Sequence, residues 1–168
     1  MLKTRLLKKK NLKDSRKPGS AREQRRDLAR KTSSEITGTE HLDAAILDSI
    51  HLKINEWNFD VFALAKLIPE PLTYVGTALL GEHDLIEKYS MPTGKLRDFL
   101  DGVHRGYNEN NPYHNALHGT DVAVSSHYIM THTGLSDRID PTMSEATMAT
   151  IIAGLVHDMV RLLLAPGA

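Results

Sequence analysis

Helical periodicity interrupted by proline and glycine constrains the fold of this 168-residue chain more than any other feature of its sequence. After residue 40, apolar side chains recur every three or four positions, and no segment alternates apolar and polar residues as a half-buried strand does. Prolines and glycines separate the periodic segments, as is typical of helix starts and stops. The sequence therefore predicts an all-α, multi-helix bundle. Its predicted helices cover about 41–53, 71–89, 95–107, 113–133 and 141–157.

Charge divides the chain into a basic part and an acidic part. Residues 1–31 hold thirteen Lys and Arg against three Asp and Glu, whereas the remaining 137 residues hold eight against eighteen, so net charges of +10 and −10 cancel. The first 40 residues, here called the basic arm, offer too little apolar surface to offset the entropy lost on ordering. We therefore expect a mostly disordered arm over 1–40 and a folded body over 41–168.

Cysteine is absent, and so is any apolar run of about 18 residues. Disulfides and thiolate metal sites are thereby excluded, so a metal ion would have to bind histidine, aspartate or glutamate. The basic arm lacks the apolar stretch of a secretory signal, and no aromatic or groove-reading element accompanies its charge. These features predict a cytoplasmic protein with no transmembrane segment and no nucleic-acid partner.

Metal-ligating residue types cluster in two places. His114, His118 and Asp121 stand four and three positions apart, which puts them on roughly one face of a helix over 113–133. The pair His157-Asp158 ends an almost wholly apolar helix. Helical bundles build internal metal sites from side chains on facing helices. A histidine pair four residues apart is more often a solvated helix face when it stands alone, so the metal-site prediction depends on both clusters together.

Such a donor set suits the hydrolysis of a phosphodiester. That reaction needs charge relief on the phosphoryl oxygens, an activated water and a proton for the leaving 3′ oxygen. Two metal ions roughly 3.5–4 Å apart supply the first two when a carboxylate bridges them. Imidazole suits zinc, whereas carboxylate and water suit magnesium or manganese. A histidine that is not a ligand can donate the proton, because its pKa lies near neutrality.

Two longer strings carry a family resemblance. Residues 111–122 read NPYHNALHGTDV and are followed by His127, and residues 152–158 read IAGLVHD. These strings resemble the Tyr-His-Asn-x-x-His-x-x-Asp-Val motif and the helix ending in a metal-binding His-Asp of class I 3′,5′-cyclic nucleotide phosphodiesterases. Segments 54–62 and 127–134 are similar to the calcium/calmodulin-stimulated branch of that family. The resemblance covers roughly residues 42–159 and implies the helical fold of His-Asp metal phosphohydrolases.

The resemblance implies a division of roles among three histidines and one aspartate. His114 would be the general acid. His118 and His157 would bind a tighter, zinc-like metal ion, and Asp158 would bridge it to a second, magnesium- or manganese-like ion. The implied reaction is hydrolysis of cAMP or cGMP to the 5′-monophosphate, which ends a cyclic-nucleotide signal.

Four further residues receive supporting roles from the same resemblance. Tyr113 and Asn115 would line the substrate pocket, and Asp121 and His127 would support the metal ligands from outside the coordination shell. Without the resemblance, the residue types at Asp121 and His127 also fit other roles. Asp121 also fits a salt bridge on a helix face, and His127 also fits a packed core histidine.

The resemblance weakens after Met159. The family continues with a further histidine three residues past the aspartate, where this chain has Arg161. It implies that the last metal-ligand aspartate, the glutamine that reads the base and an aromatic clamp lie outside these 168 residues. We therefore expect a catalytic-domain fragment with little activity by itself, in which no residue sets the choice between cAMP and cGMP.

The basic arm suggests a protein partner. Leucines at positions 2, 6, 7 and 12 among the basic residues would suit binding to calmodulin or to an anionic membrane surface. Their irregular spacing also fits a solvated arm that binds neither.

Two alternatives to a phosphodiesterase stay open at this point. One is another His-Asp metal phosphohydrolase, such as an enzyme acting on nucleoside monophosphates. The other is a non-catalytic regulatory fragment that binds a partner protein.

Overall fold

The computed structural model describes residues 53–135 and 144–159, together with Gln24, Asp27, Leu28, Lys31, Thr32, Glu35 and Ile50. Within these residues every regular element is a helix, which confirms the predicted all-α class. No helix in this part of the chain is long and apolar enough to span a membrane. The helices whose full length is described are α1 Val61–Ala65, α2 Pro71–Glu82, α3 Leu85–Lys88, α4 Thr93–Gly106, α5 Ala116–His132 and α6 Ser144–Val156.

Helix α2 lies at the centre of the bundle. Pro71 begins it, because the fixed φ of proline suits the first helical position. Every residue from 71 to 80 is buried, and α2 packs against α1, α4, α5 and α6. A helix surrounded in this way needs apolar residues around its whole circumference. Leu72, Val75 and Leu79 supply three of them and have no exposed surface.

Helices α5 and α6 form the most extensive helix pair among the described elements. Their close approach depends on Gly154, because a Cβ atom there would lie 2.9 Å from the Cα atom of Ala123. Interiors are too closely packed to tolerate such an overlap without backbone movement. Glycine at this position therefore lets the α6 backbone rest directly on α5, and this contact sets the spacing of the side chains at the ends of the two helices.

The prediction of one helix over 71–89 is wrong, because two helices cover this range. Helix α2 ends at Glu82, and α3 begins at Leu85. Asp84 between them has a φ of 58°, in the left-handed region that a continuing right-handed helix cannot include. Helix α4, in contrast, begins and ends within two residues of its predicted range.

Some predictions fall mainly outside the described residues. The six described positions of the basic arm are helical, and Lys31 and Glu35 form an exposed ion pair of 3.7 Å across one turn. Disorder over the rest of the arm stays a prediction. Of the predicted helix over 41–53, only Ile50 and Lys53 are described, and both are helical. Residues 160–168, with Arg161, also lie outside the described part.

Candidate metal centre

The first turn of α5 and the residue pair that follows α6 meet at the candidate metal centre. His118 lies on α5, and His157-Asp158 come directly after α6. Gly119 allows the two backbones to meet here, because a Cβ atom at this position would lie 3.0 Å from the carbonyl oxygen of Leu155. The predicted convergence of the two histidine clusters is therefore present in the structure.

Three donor atoms form a small triangle at this junction. The Nε2 atoms of His118 and His157 are 3.3 Å apart. Asp158 Oδ2 lies 3.1 Å from His157 Nε2 and 3.5 Å from His118 Nε2. Ligands about 2.0–2.1 Å from a tetrahedral zinc ion are roughly 3.3 Å apart from one another. The three separations therefore fit one face of a tetrahedral metal site without rearrangement.

The hydrogen bond of His157 prepares its ring for metal binding. Its Nδ1 atom lies 2.9 Å from the carbonyl oxygen of Gly154. A carbonyl oxygen only accepts, so Nδ1 carries the hydrogen and donates it. Nε2, the atom that faces His118 and Asp158, is then the ring nitrogen left to bind a metal ion. Metal-ligating histidines are commonly oriented by such a bond from their second nitrogen.

The protonation states at the centre favour metal binding as well. Burial, together with the nearby His157 ring, lowers the pKa of His118 below its ordinary value of 6.5. Its imidazole is therefore neutral near pH 7. A hydrogen bond from His114 lowers the pKa of Asp158 below its ordinary value of 3.8, so that carboxyl group is ionised. Neutral imidazole and ionised carboxylate are the forms that bind metal ions.

The prediction that His114 shares a helix face with His118 is wrong. Helix α5 begins only at Ala116, with Asn115 as an extended N-cap residue, so His114 lies in the turn before the helix. From this turn its Nδ1 atom still lies 2.6 Å from Asp158 Oδ2. His114, His118 and Asp158 each place one donor atom within 4.8 Å of the others. The geometry is therefore compatible with His114 as a metal ligand or as a group beside the metal.

Tyr113 and Asn115, predicted to line the substrate pocket, differ in their surroundings. The Tyr113 side chain is 61% exposed, and its ring centroid is 4.5 Å from that of His118. Asn115 caps α5, because its Oδ1 atom accepts hydrogen bonds from the backbone of Leu117 and His118. Asn115 also lines a cavity of about 280 Å³ beside the start of α5. The structure accounts for Asn115 as a cap, and its contact with substrate stays a prediction.

Asp121 and His127 occupy different environments along α5. Asp121 is exposed, and its charge acts against the lowering of the His118 pKa. His127 is fully buried, with Nδ1 2.9 Å from His83 Nε2 and Nε2 3.2 Å from Asn55 Oδ1. Nine residues separate His127 from His118, which is about 13 Å along a helix. The alternative of a packed core histidine therefore describes His127, whereas a supporting role for Asp121 stays a prediction.

Sequence reasoning missed Tyr107, the first residue after α4. Its hydroxyl group donates a hydrogen bond of 2.9 Å to the carbonyl oxygen of Leu155. Burial raises the pKa of Tyr107 above its ordinary value of 10.0, so the phenol keeps its proton and remains a donor. The burial of Tyr107 could have been predicted from the sequence, because Tyr107 continues the helical stripe of Leu96, Leu100 and Val103, which are buried.

Comparison with known proteins identifies relatives by sequence only. No protein-family profile matches the chain, and no solved structure matches it significantly. Curated relatives, in contrast, match over 61% to 78% of the chain.

Three examples show the kind of protein that these relatives are, each described as a cyclic-nucleotide phosphodiesterase. The dual specificity calcium/calmodulin-dependent 3′,5′-cyclic nucleotide phosphodiesterase 1 of Drosophila melanogaster is 36% identical over 107 residues, which are 62% of this chain and 12% of that protein. Phosphodiesterase 1B of Bos taurus, of the same description, is 33% identical over 134 residues, or 78% of this chain and 24% of that protein. A probable 3′,5′-cyclic phosphodiesterase of Caenorhabditis elegans is 32% identical over 104 residues, or 61% and 15%. The chain thus spans at most about a quarter of the length of these relatives.

Proposed function

Because this chain is homologous to part of the calcium/calmodulin-dependent 3′,5′-cyclic nucleotide phosphodiesterases, we propose that it takes part in the same kind of reaction, the hydrolysis of 3′,5′-cyclic nucleotides to 5′-monophosphates. The observation that carries the proposal is the triangle of donor atoms on His118, His157 and Asp158, with sides of 3.1 to 3.5 Å. Two histidines and a shared carboxylate are the donors expected where zinc lies beside magnesium or manganese.

The proposed metal set follows from the donor types. His118 and His157 would hold a zinc-like ion through their Nε2 atoms, and Asp158 would bridge it to a magnesium- or manganese-like ion. Divalent metal ions at such a site relieve charge on the phosphoryl oxygens and activate water for attack. The burial of Asp158 at 7% exposure supports a bridging role, because a buried carboxylate is normally paired with a cation.

His114 is proposed as the general acid for the leaving 3′ oxygen. Its Nδ1 atom faces Asp158 Oδ2 at 2.6 Å and can donate a hydrogen bond to that oxygen. The Nε2 atom is then the one that can give its proton to the leaving oxygen as the bond between phosphorus and that oxygen breaks. The half-buried ring of His114 leaves access for a substrate on that side. Tyr113, whose ring centroid lies 4.5 Å from that of His118 at a tilt of 35°, is proposed to contact the nucleotide.

Calmodulin is proposed as a partner of the basic arm. The Drosophila and bovine relatives are calcium/calmodulin-dependent, and residues 1–31 of this chain carry a net charge of +10 with interspersed leucines. A synthetic peptide of residues 1–40 should bind calmodulin in calcium and not in a calcium chelator. Equal binding in both conditions, or none, would contradict this part of the proposal.

Hydrolysis is best tested in a hybrid enzyme, because the chain spans only 24% of its bovine relative. The matched 134-residue segment of this chain replaces its counterpart in that relative, and the purified hybrid is assayed with cAMP, cGMP and a 5′-nucleoside monophosphate. We expect metal-dependent formation of 5′-monophosphate from a cyclic nucleotide. His118→Ala should abolish turnover, whereas His132→Ala, at the exposed far end of α5, should not.

Two results would contradict the proposed function. The first is a folded, metal-loaded hybrid that hydrolyses neither cyclic nucleotide. The second is release of phosphate from the nucleoside monophosphate alone, which would favour the alternative phosphohydrolase. The low activity expected of the 168 residues by themselves stays a prediction, and the same assay on the isolated chain tests it.

A further inference from the structure

Tyr107 contacts both helices that form the candidate metal centre, α5 and α6. It directly follows α4 and is 5% exposed. Its hydroxyl group reaches across to α6, where it donates to the carbonyl oxygen of Leu155 at 2.9 Å. The same hydroxyl lies against α5, because a Cβ atom on Gly119 would be 2.7 Å from it. Leu155 and Gly119 are close in sequence to the proposed ligands His157 and His118.

A second contact from the end of α4 holds the far side of the His157-Asp158 pair. The side chain of Met159 lies on Gly106, where a Cβ atom would come within 2.6 Å of the Met159 sulfur. Leu155 lies two positions before the pair and contacts Tyr107. Met159 directly follows the pair and contacts Gly106.

The hydroxyl of Tyr107 also completes the C-terminal end of α6. The last carbonyl groups of a helix lack partners within the helix. Here the Gly154 carbonyl accepts from His157 Nδ1 at 2.9 Å, and the Val156 carbonyl accepts from the Met159 backbone N–H at 3.0 Å. The Leu155 carbonyl accepts from Tyr107. Of these three donors, only the Tyr107 hydroxyl comes from a different part of the chain.

We propose that Tyr107 is a positioning residue for the metal centre, which fixes His157-Asp158 relative to His118 through its hydrogen bond to Leu155. The inference rests on the proposed function, because it requires that His118, His157 and Asp158 bind a metal ion. Without the hydroxyl, the buried Leu155 carbonyl would lack its hydrogen-bond donor. A shift of the end of α6 toward another donor would then lower the free energy of the chain. Such a shift would open the 3.3 Å spacing of the two Nε2 atoms.

Tyr107→Phe tests the inference, and Tyr89→Phe is the matched control. Tyr89 also uses its hydroxyl on α6, but at the opposite end, where it lies 2.7 Å from Ser144 Oγ. Ser144 and Leu155 are eleven residues apart, about 16 Å along the helix. Both variants remove one tyrosine hydroxyl that contacts α6, so a general loss of α6 stability affects both.

The measurement is Co²⁺ binding by the metal-free 168-residue chain, followed by visible absorption, with Co²⁺ as a spectroscopic substitute for zinc. Circular dichroism first establishes a temperature at which each variant has the helicity of the unsubstituted chain. We expect the affinity of Tyr107→Phe for Co²⁺ to fall by about 10- to 100-fold, the range observed for groups that orient metal ligands. Its absorption band should also weaken, because a misplaced ligand lets water raise the coordination number of Co²⁺, and six-coordinate Co²⁺ absorbs more weakly than four-coordinate Co²⁺. Tyr89→Phe should bind within about twofold of the unsubstituted chain, since its hydroxyl is remote from the ligands.

Each outcome bears on the inference. Co²⁺ binding by Tyr107→Phe with unchanged affinity and spectrum would overturn the positioning role while leaving the proposed metal site intact. Equal losses in Tyr107→Phe and Tyr89→Phe would also overturn it, because the effect would then be one of helix stability. No Co²⁺ binding by the unsubstituted chain would overturn both the inference and the proposed metal site. Hydrogen exchange offers a second readout that needs no metal, since Tyr107→Phe should speed exchange of the Met159 amide selectively.

Discussion

The Nε2 atoms of His118 and His157 lie 3.3 Å apart, although 39 positions separate the two residues in the sequence. This spacing results from the contact between α5 and α6, which Gly119 and Gly154 keep close. Asp158 completes the donor set from the same segment as His157. The candidate metal centre is therefore formed by one helix pair and by the turns at its end.

The α5–α6 contact should be sensitive to the smallest possible enlargement of Gly154. Gly154→Ala places a Cβ atom 2.9 Å from the Ala123 backbone, and such overpacking lowers the free energy of unfolding by about 1–3 kcal/mol. Urea denaturation followed by circular dichroism measures the change. The control is Gly102→Ala on α4, where nothing lies within 4 Å of the added atom. Gly102→Ala should raise stability by up to about 1 kcal/mol, because alanine favours helix. A neutral Gly154→Ala would show that the helix spacing does not depend on this glycine.

The cap of α5 should matter more to the metal centre than an equivalent cap elsewhere. Asn115→Ala removes two hydrogen bonds to the first turn of α5, and Asp60→Ala removes two from the first turn of α1. Each should cost about 1 kcal/mol of unfolding free energy. Only Asn115→Ala should weaken Zn²⁺ binding, since His118 lies in the turn that it caps. Equal Zn²⁺ affinities in the two variants would contradict this.

Asn115→Asp separates the capping role of Asn115 from a role in substrate binding. Aspartate caps helices as well as asparagine does, so stability and Zn²⁺ affinity should stay close to those of the unsubstituted chain. In the hybrid enzyme, a raised KM with these two properties unchanged would support contact between Asn115 and the nucleotide. An unchanged KM would leave Asn115 as a cap alone.

Stability should fall on mild acidification because of His83. Burial, partly opposed by the Asp84 carboxylate, lowers the pKa of His83 below its ordinary value of 6.5. The unfolded chain then binds the proton more tightly, so the contribution of His83 to stability is present above pH 6.5 and is lost as the pH falls toward the lower folded pKa. The unfolding free energy of the metal-free chain should therefore drop from pH 7 to pH 5 more steeply than that of His83→Gln. Glutamine does not titrate, and its amide can still bond His127. Urea titrations at each pH measure the unfolding free energy. An equal dependence on pH in the unsubstituted chain and in His83→Gln would contradict the role assigned to His83.

The sequence predicts the helical class and the meeting of the candidate metal donors for a simple reason. Helices with broad apolar faces, such as the segment before His157, must pack on one another, and this packing brings the polar ends together. The residue types at this junction are those that bind metal ions, but each cluster by itself also fits a solvated helix face, so the prediction depends on both clusters together. Local pattern and packing thus predict that the two histidine clusters meet, whereas the choice of His118, His157 and Asp158 as ligands follows from the resemblance to phosphodiesterases.

Three other features of the structure were not predicted from the sequence. The start of α5 is set by Asn115, whose side chain bonds the backbone and leaves His114 outside the helix. The break at Asp84 requires a left-handed φ that no glycine signals. The role of Tyr107 depends on a hydrogen bond across 48 positions of sequence. The cap at Asn115 is a local signal, because asparagine favours the N-cap position, whereas the hydrogen bond of Tyr107 joins residues too far apart in sequence for local pattern to reveal.

Zn²⁺ binding to the metal-free 168-residue chain, measured by isothermal titration calorimetry, tests the central claim most directly. The unsubstituted chain should bind Zn²⁺, and His118→Ala should lose at least about 100-fold in affinity, because removing a ligand costs at least as much as removing a group that orients one. His132→Ala is the control, since this exposed histidine lies about 21 Å along α5 from His118. It should bind as the unsubstituted chain does. Equal Zn²⁺ affinities for His118→Ala and His132→Ala, or no binding by the unsubstituted chain, would contradict a metal centre at His118, His157 and Asp158.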